Sequence, residues 1–181
     1  MPSEHMIPGL FGKIPATGDF VTRRLQRDFV RFWDRLAARH LAPLLKAGLW
    51  PADRGLRFLA TVEGRGPLAG VAVPSSDRVG RLFPLTAAAS CPHAGPDTIS
   101  DAADWFDRVE GVLATARDLG TDADGLAEAL ARLRFPSLPA SKAPRFKRLW
   151  LWTDGRPLVE VDPETPQGAL EELLTPMSEA E

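Results

Sequence analysis

The sequence holds one cysteine, Cys91, and three widely separated histidines, His5, His40 and His93. A single cysteine excludes an intramolecular disulfide framework and any zinc site built from cysteine thiolates. The scattered histidines show none of the spacings typical of metal ligands. We therefore expect neither a metal site nor another cofactor.

Long apolar runs are also missing. No stretch of the chain approaches the roughly 18 continuous apolar residues that suggest a membrane-spanning helix. The first residues lack the basic segment and the apolar core of a secretory signal. We therefore expect a protein that does not span a membrane and that lies in the reducing cytoplasm.

The composition is that of an ordinary globular protein, with 44% hydrophobic and 25% charged residues among 181. This length fits a single domain that buries a sizeable core. We place the domain at residues 1–175 and expect residues 176–181 to form a frayed tail.

Charge is segregated along the chain, although the net charge is only −2. Residues 1–60 carry ten Lys or Arg against five Asp or Glu, whereas residues 97–130 carry two against nine. Such patches favour steered association with a charged partner. The net charge is negative, and no exposed aromatic residues are evident between the basic ones. Both features argue against nucleic acid as that partner.

Apolar periodicity predicts an α+β fold. Helical spacing runs from about residue 26 to residue 46 and returns after residue 100, while strand-like runs fill much of residues 56–90. Strands follow strands through short turns, and no alternation of strand and helix is present. We therefore predict a mostly antiparallel sheet flanked by helices.

Four positions carry sharper local predictions. Gly18 is expected to take a positive φ in a turn, and Ser100 to cap a helix. Pro84 suggests that the strand it lies in is bulged or at a sheet edge. The dipeptide Asp154-Gly155 suits a two-residue type I′ hairpin turn.

The glycine-rich stretch Gly9–Lys13 is not a phosphate-binding loop. Such a loop needs Gly, four spacers and then Gly-Lys followed by Ser or Thr. Here Ile14 follows Lys13, so no hydroxyl is available for magnesium, and Pro15 would stop the helix that must follow.

The polar stretch PSSDRVGR, which begins at Pro74, contains two serines, an aspartate and two arginines. A serine nucleophile needs a neighbouring base and usually a turn flanked by glycines. No glycine surrounds Ser75 or Ser76, and no histidine follows them closely. A hydrolase is therefore a weak interpretation of this stretch.

Two other interpretations of the same stretch stay open. Asp77 suits a turn in which its carboxylate accepts backbone N–H groups, and Gly80 suits a positive φ. In that case Arg78 and Arg81 pair internally and the turn is structural. Alternatively, the two arginines face a partner.

A basic stripe runs along the predicted first helix, where arginine recurs every fourth residue at Arg27, Arg31, Arg35 and Arg39. Residues at this spacing share one helix face. The stripe is either a solvated surface or a docking site for an acidic partner.

Three motifs in register resemble the TagF family, also called ImpM, of type VI secretion-associated proteins. They are GLFGKIPATGDFVTRRL, FVRFWDRLAARHL and LRFLATVEGRGPLAGVAVPSSDRVGRLFPLT, and the match runs in order from Gly9 to about Thr86. The chain departs from the family pattern at Phe11, Ser76 and Leu82. It carries the pattern at Gly12, Lys13, Gly18, Asp19, Phe20, Trp33, Asp34, Pro74, Ser75, Asp77, Arg78, Val79, Gly80, Arg81, Phe83, Pro84 and Leu85.

This resemblance implies a non-enzymatic cytoplasmic accessory protein. TagF-like proteins repress type VI secretion after translation, by binding a forkhead-associated scaffold protein of the apparatus, and are linked to threonine phosphorylation. The resemblance also implies a fold similar to longin or profilin domains. The alternatives are a small-ligand-binding domain or hydrolase that uses the Ser75–Arg78 loop, and a scaffold that oligomerises through an apolar patch.

Two polar motifs of this family pattern lie at turns beside strands, so folding is expected to bring them to one end of the sheet. We expect a partner-binding patch there, formed by Asp19, Asp77, Arg78 and Arg81. Structural roles are expected for Gly12, Lys13, Gly18, Phe20, Trp33, Asp34, Gly80, Phe83 and Pro84.

Overall fold

A computed structural model describes residues 6–61, 66–138 and 148–176 of the chain. Its strands are β1 Gly9–Gly12, β2 Val21–Arg23, β3 Leu56–Thr61, β4 Leu68–Val73, β5 Leu85–Ser90, β6 Arg148–Trp152 and β7 Val159–Val161. Its helices are α1 Arg27–Leu36, α2 Ala42–Lys46, α3 Pro96–Asp101, α4 Ala103–Leu119, α5 Ala123–Ala131 and α6 Gln167–Leu174. Except for Pro176, the expected tail lies outside the described residues, so the domain boundary stays a prediction.

The seven strands form one sheet in the order β2-β1-β5-β4-β3-β6-β7, and each neighbouring pair is antiparallel. The predicted α+β fold, a single domain with an antiparallel sheet flanked by helices, is confirmed. Strand β2 was missed because three residues are too few to show an alternating pattern. None of the helices described here is long and apolar enough to cross a membrane.

Helices cover both faces of the sheet, because successive strand residues point to opposite sides. On β3, Phe58 and Ala60 pack with α1, α2 and α6, whereas Leu59 packs with α4 and α5. On β6, Trp150 and Trp152 share the face of α4 and α5, as their i, i+2 spacing predicts. The sheet is therefore the middle of three layers.

The first long helical segment is continuous from α1 to α2 but widens between them. A π turn occupies Ala37–Leu41, where the amide of Ala42 donates to the carbonyl of Ala37. Pro43 follows in the first turn of α2, where its missing N–H is tolerated. The helix therefore does not end at Pro43.

The segment is anchored to the sheet through Trp33, which is fully buried. Its ring stacks on Phe58 with centroids 4.1 Å apart. Its Nε1 donates a hydrogen bond of 2.7 Å to the Oγ1 of Thr86 on β5. The first contact holds α1 against β3, and the second holds it against β5, the strand that follows the polar loop.

Three local predictions are wrong. Ser100 lies inside α3, and α4 begins after Ala102 without a side-chain cap. Pro84 precedes β5, which occupies an interior position in the sheet, so the proline does not interrupt the ladder. The hairpin at Asp154-Gly155 exists, but six residues separate β6 from β7 and only the glycine has a positive φ, of 75°, which rules out a type I′ turn.

Candidate partner-binding site

Two loops meet at one end of the sheet. The β1–β2 loop (residues 13–20) and the β4–β5 loop (residues 74–84) both adjoin the antiparallel pair of β1 and β5, in which Gly12 lies opposite Leu85. The amide of Arg78 donates to the carbonyl of Thr17 at 2.8 Å. The Oγ of Ser75 donates to the carbonyl of Lys13, also at 2.8 Å. These hydrogen bonds hold the loops together as one unit.

The carboxylate of Asp77 is the centre of this unit, and its side chain is fully buried. Its Oδ1 accepts hydrogen bonds from the amides of Val79 and Arg81, at 3.1 and 2.9 Å. Its Oδ2 lies 2.7 Å from the Nε of Arg81 and 3.2 Å from the Nζ of Lys13. Two cations from different loops therefore share one buried anion.

These partners keep the carboxylate of Asp77 ionised. Burial by itself raises the pKa of an acid, because it disfavours the charged form. The hydrogen bonds from Arg81, Lys13 and Val79 outweigh that effect and lower the pKa of Asp77 from 3.8 to about 2. The ion pairs are therefore intact throughout the physiological pH range.

The two arginines of the motif are positioned by backbone carbonyls of the other loop. The Nη2 of Arg78 donates to Ala16 at 2.9 Å, and the Nη2 of Arg81 donates to Gly18 at 2.7 Å. Both residues are exposed, and each guanidinium has five N–H donors. Each therefore keeps N–H groups that can donate to a partner while its orientation is fixed.

Apolar side chains lie between these cations. Val79 is 71% exposed, Phe20 49% and Leu82 39%. Within the described residues, the other exposed large hydrophobic side chains are Leu49 and Leu119. The two loops therefore hold three of the five exposed large hydrophobic side chains that the structure describes.

The ring of Phe20 is held in place although it faces solvent. It stacks on Phe11 with centroids 5.7 Å apart and meets Phe83 edge-on at 4.9 Å. The Nζ of Lys13 lies over it, 5.1 Å from the centroid. Phe20 therefore presents a rigid apolar surface, the type of side chain that dominates protein–protein contacts.

The structure places all four expected patch residues in the two joined loops. Arg78 and Arg81 face solvent, whereas Asp77 is buried and unavailable for direct contact, so its expected place in the patch is corrected to a positioning role. Asp19 is exposed beside Phe20, and its carboxylate forms no ion pair with a described residue. Arg78 and Arg81 thus form internal bonds and are also exposed, so the partner-binding role of the motif stays a prediction.

Several residues expected to be structural are explained by backbone geometry and packing. Gly12 has a φ of 138°, and a Cβ there would overlap the carbonyl oxygen of Pro84. Gly80 has a φ of 87°, as predicted. The prediction for Gly18 is wrong, because its φ is not positive and a Cβ would meet no atom within 4 Å. Nothing in the structure explains Asp34, which is exposed.

The exposure of Val79 and Leu82 was missed by sequence reasoning. Both are apolar residues inside a polar turn, and Val79 lies directly between Arg78 and Gly80. That interruption is the signal that could have revealed them, since an apolar side chain in a surface turn has no core to enter.

The serines of the loop have structural contacts. The hydroxyl of Ser75 is bonded to a backbone carbonyl, and Ser76 forms a β-bridge with Leu82. No group of three or more potential metal ligands occurs in the described parts of the chain.

Comparison with known proteins matches most of the chain to a family. Residues 9–133 match the TagF N-terminal domain, which is type VI secretion system-associated. The fold is similar to the crystal structure of PA0076 from Pseudomonas aeruginosa PAO1, with a TM-score of 0.71 and 25% sequence identity over 96% of each chain. No match was found among curated proteins.

Proposed function

Because the chain belongs to the TagF family of type VI secretion-associated proteins, we propose that it represses type VI secretion after translation. In this proposal it acts in the cytoplasm, without catalysis, by binding a forkhead-associated scaffold protein of the apparatus. The binding site is the exposed surface of the two joined loops, formed by Asp19, Phe20, Arg78, Val79, Arg81 and Leu82. We call this the loop surface.

The observation that carries the proposal is the combination of exposure and rigidity on the loop surface. Val79 and Phe20 expose apolar area that contributes little to the fold. The backbone beneath them is fixed by the buried carboxylate of Asp77. Preorganised surfaces bind with a smaller loss of conformational freedom than mobile ones.

The chemistry of the loop surface defines what the partner must present. An apolar centre with arginines beside it is a frequent arrangement at protein interfaces. Free guanidinium N–H groups of Arg78 and Arg81 pair best with carboxylates in a planar, bidentate geometry. The partner should therefore offer an apolar pocket or residue flanked by acidic side chains.

Calorimetry with the forkhead-associated scaffold from the same secretion cluster tests this function. We expect binding by the wild-type protein that weakens as salt is raised, because exposed charge pairs are screened. Arg78→Ala should weaken binding by about tenfold or more and reduce the salt dependence. Arg134→Ala is the matched control, because Arg134 is an exposed arginine outside the two loops. Absence of wild-type binding, or equal binding by Arg78→Ala, would contradict the proposal.

A further inference from the structure

The basic stripe on the first helix is a feature that the loop surface does not use. Arg27, Arg31 and Arg35 lie on α1, and Arg39 lies in the π turn. All four are exposed. None of them forms an ion pair with another residue in the described part of the chain, unlike the arginines in the pairs Arg23–Asp124, Arg57–Glu110, Arg117–Asp118 and Arg148–Glu160.

This arrangement works against the stability of the helix. Like charges four residues apart repel one another and destabilise a helix, and the stripe contains three such pairs in succession. The opposite face of α1 is held by the buried side chains of Phe29, Trp33 and Leu36. The arginines are therefore not needed for packing and remain available for a role outside the fold.

The π turn helps to keep the stripe straight. In an α-helix, residues four apart advance by about 40° around the axis, so a long i, i+4 series drifts sideways. Arg39 lies inside the wider turn at Ala37–Leu41, so this advance is reduced in the last step of the series, from Arg35 to Arg39. Single π turns inside α-helices occur frequently at functional sites.

We propose that the stripe is a second docking surface, which binds an acidic helix of a protein partner. Successive arginines are about 6 Å apart along the axis, and the series spans about 18 Å. A helix with carboxylates every fourth residue has the same spacing and opposite charge. This inference does not rest on the proposed function, because the stripe shares no residue with the loop surface.

The neighbouring acids favour a protein partner over an anionic membrane. Asp34 is exposed on the same helix, and Glu164 lines a small cavity beside Arg35 and Arg39. A uniformly negative membrane would be repelled by these carboxylates. A partner helix, by contrast, can place its carboxylates opposite the arginines and away from the acidic residues.

A synthetic helical peptide with glutamate at every fourth position is the probe, and the same peptide with glutamine is its control. Fluorescence anisotropy at low salt should show binding of the glutamate peptide that salt abolishes. The double variant Arg31→Glu/Arg39→Glu makes positive and negative charges alternate along the stripe. It should weaken peptide binding by about tenfold or more.

Arg132→Glu/Arg134→Glu is the matched control, since it makes the same charge change at exposed positions beyond the end of α5. It should leave peptide binding unchanged. Equal binding of the glutamine peptide, or unchanged binding by a folded Arg31→Glu/Arg39→Glu variant, would overturn the proposal. So would binding of anionic phosphatidylserine vesicles, or self-association in sedimentation, in place of peptide binding.

Discussion

Lys13 and Asp77 belong to different loops, yet the Nζ of Lys13 lies 3.2 Å from the buried Oδ2 of Asp77. The Nε of Arg81 approaches the same oxygen at 2.7 Å. One carboxylate thus determines how the β1–β2 and β4–β5 loops meet. Among the exposed residues of the loop surface, Arg81 contacts this carboxylate through its side chain, and Val79 contacts it through its backbone amide.

Asp77→Asn should destabilise the protein strongly. The amide keeps the size of the side chain but removes the charge, so Lys13 and Arg81 lose their buried counter-ion. Urea unfolding at pH 7 should show a clearly lower midpoint. Asp19→Asn, which changes an exposed carboxylate on the same loops, should leave the midpoint nearly unchanged. Equal midpoints for both variants would mean that the Asp77 ion pairs add no stability.

The stability that Asp77 contributes should depend on pH only in acid. Its folded-state pKa of about 2 lies below the ordinary value of 3.8. Its contribution is therefore complete above about pH 5 and is lost as pH falls from about 4 to about 2. The stability difference between wild type and Asp77→Asn should be constant from pH 5 to 7 and shrink below pH 4. A difference that changes between pH 5 and 7 would point to another group.

The fold was predictable where local pattern and tertiary structure agree. The helical spacing from Phe29 to Leu44 follows the buried side of that helical segment. The i, i+2 spacing of Trp150 and Trp152 likewise follows the buried face of β6. The position of β5 was not predictable from Pro84, because strand order depends on pairings far apart in sequence. Periodicity treats every Asp as a surface residue, so it cannot reveal a carboxylate buried by Lys13, which is distant in the chain.

For the site, the sequence could indicate which residues belong together but not which of them face solvent. The family motif points to Asp77, Arg78 and Arg81 as one group. Their separate roles follow from hydrogen bonds to the β1–β2 loop, such as that from Arg78 to Ala16. Those bonds have no signature in either loop alone.

Gly12→Ala and Gly18→Ala should have opposite outcomes. Alanine at position 12 would require a disfavoured positive φ and would overlap the carbonyl of Pro84, so we expect a loss of about 3 kcal/mol or more. Alanine at position 18 meets open space at an ordinary φ and should change stability by less than about 0.5 kcal/mol. Chemical denaturation of the purified variants measures both. Similar losses at the two positions would contradict the described backbone.

The hydrogen bond between Trp33 and Thr86 should show coupling in a double-mutant cycle. Thr86→Val leaves the buried Nε1 of Trp33 without an acceptor, at a cost of about 1–3 kcal/mol. Trp33→Phe removes the donor and some packing, at a similar cost. Once Phe occupies position 33, Thr86→Val should be nearly neutral. Additive losses in the double variant would mean that the hydrogen bond does not stabilise the protein.

The most direct measurement of the central claim is scaffold binding by two matched variants, Val79→Asp and Leu119→Asp. Both replace an aliphatic side chain more than two-thirds exposed, 71% and 78% respectively, so neither should unfold the protein. Only Val79 lies on the loop surface. Calorimetry should show loss of binding for Val79→Asp and unchanged affinity for Leu119→Asp. Wild-type affinity for a folded Val79→Asp variant would contradict the account.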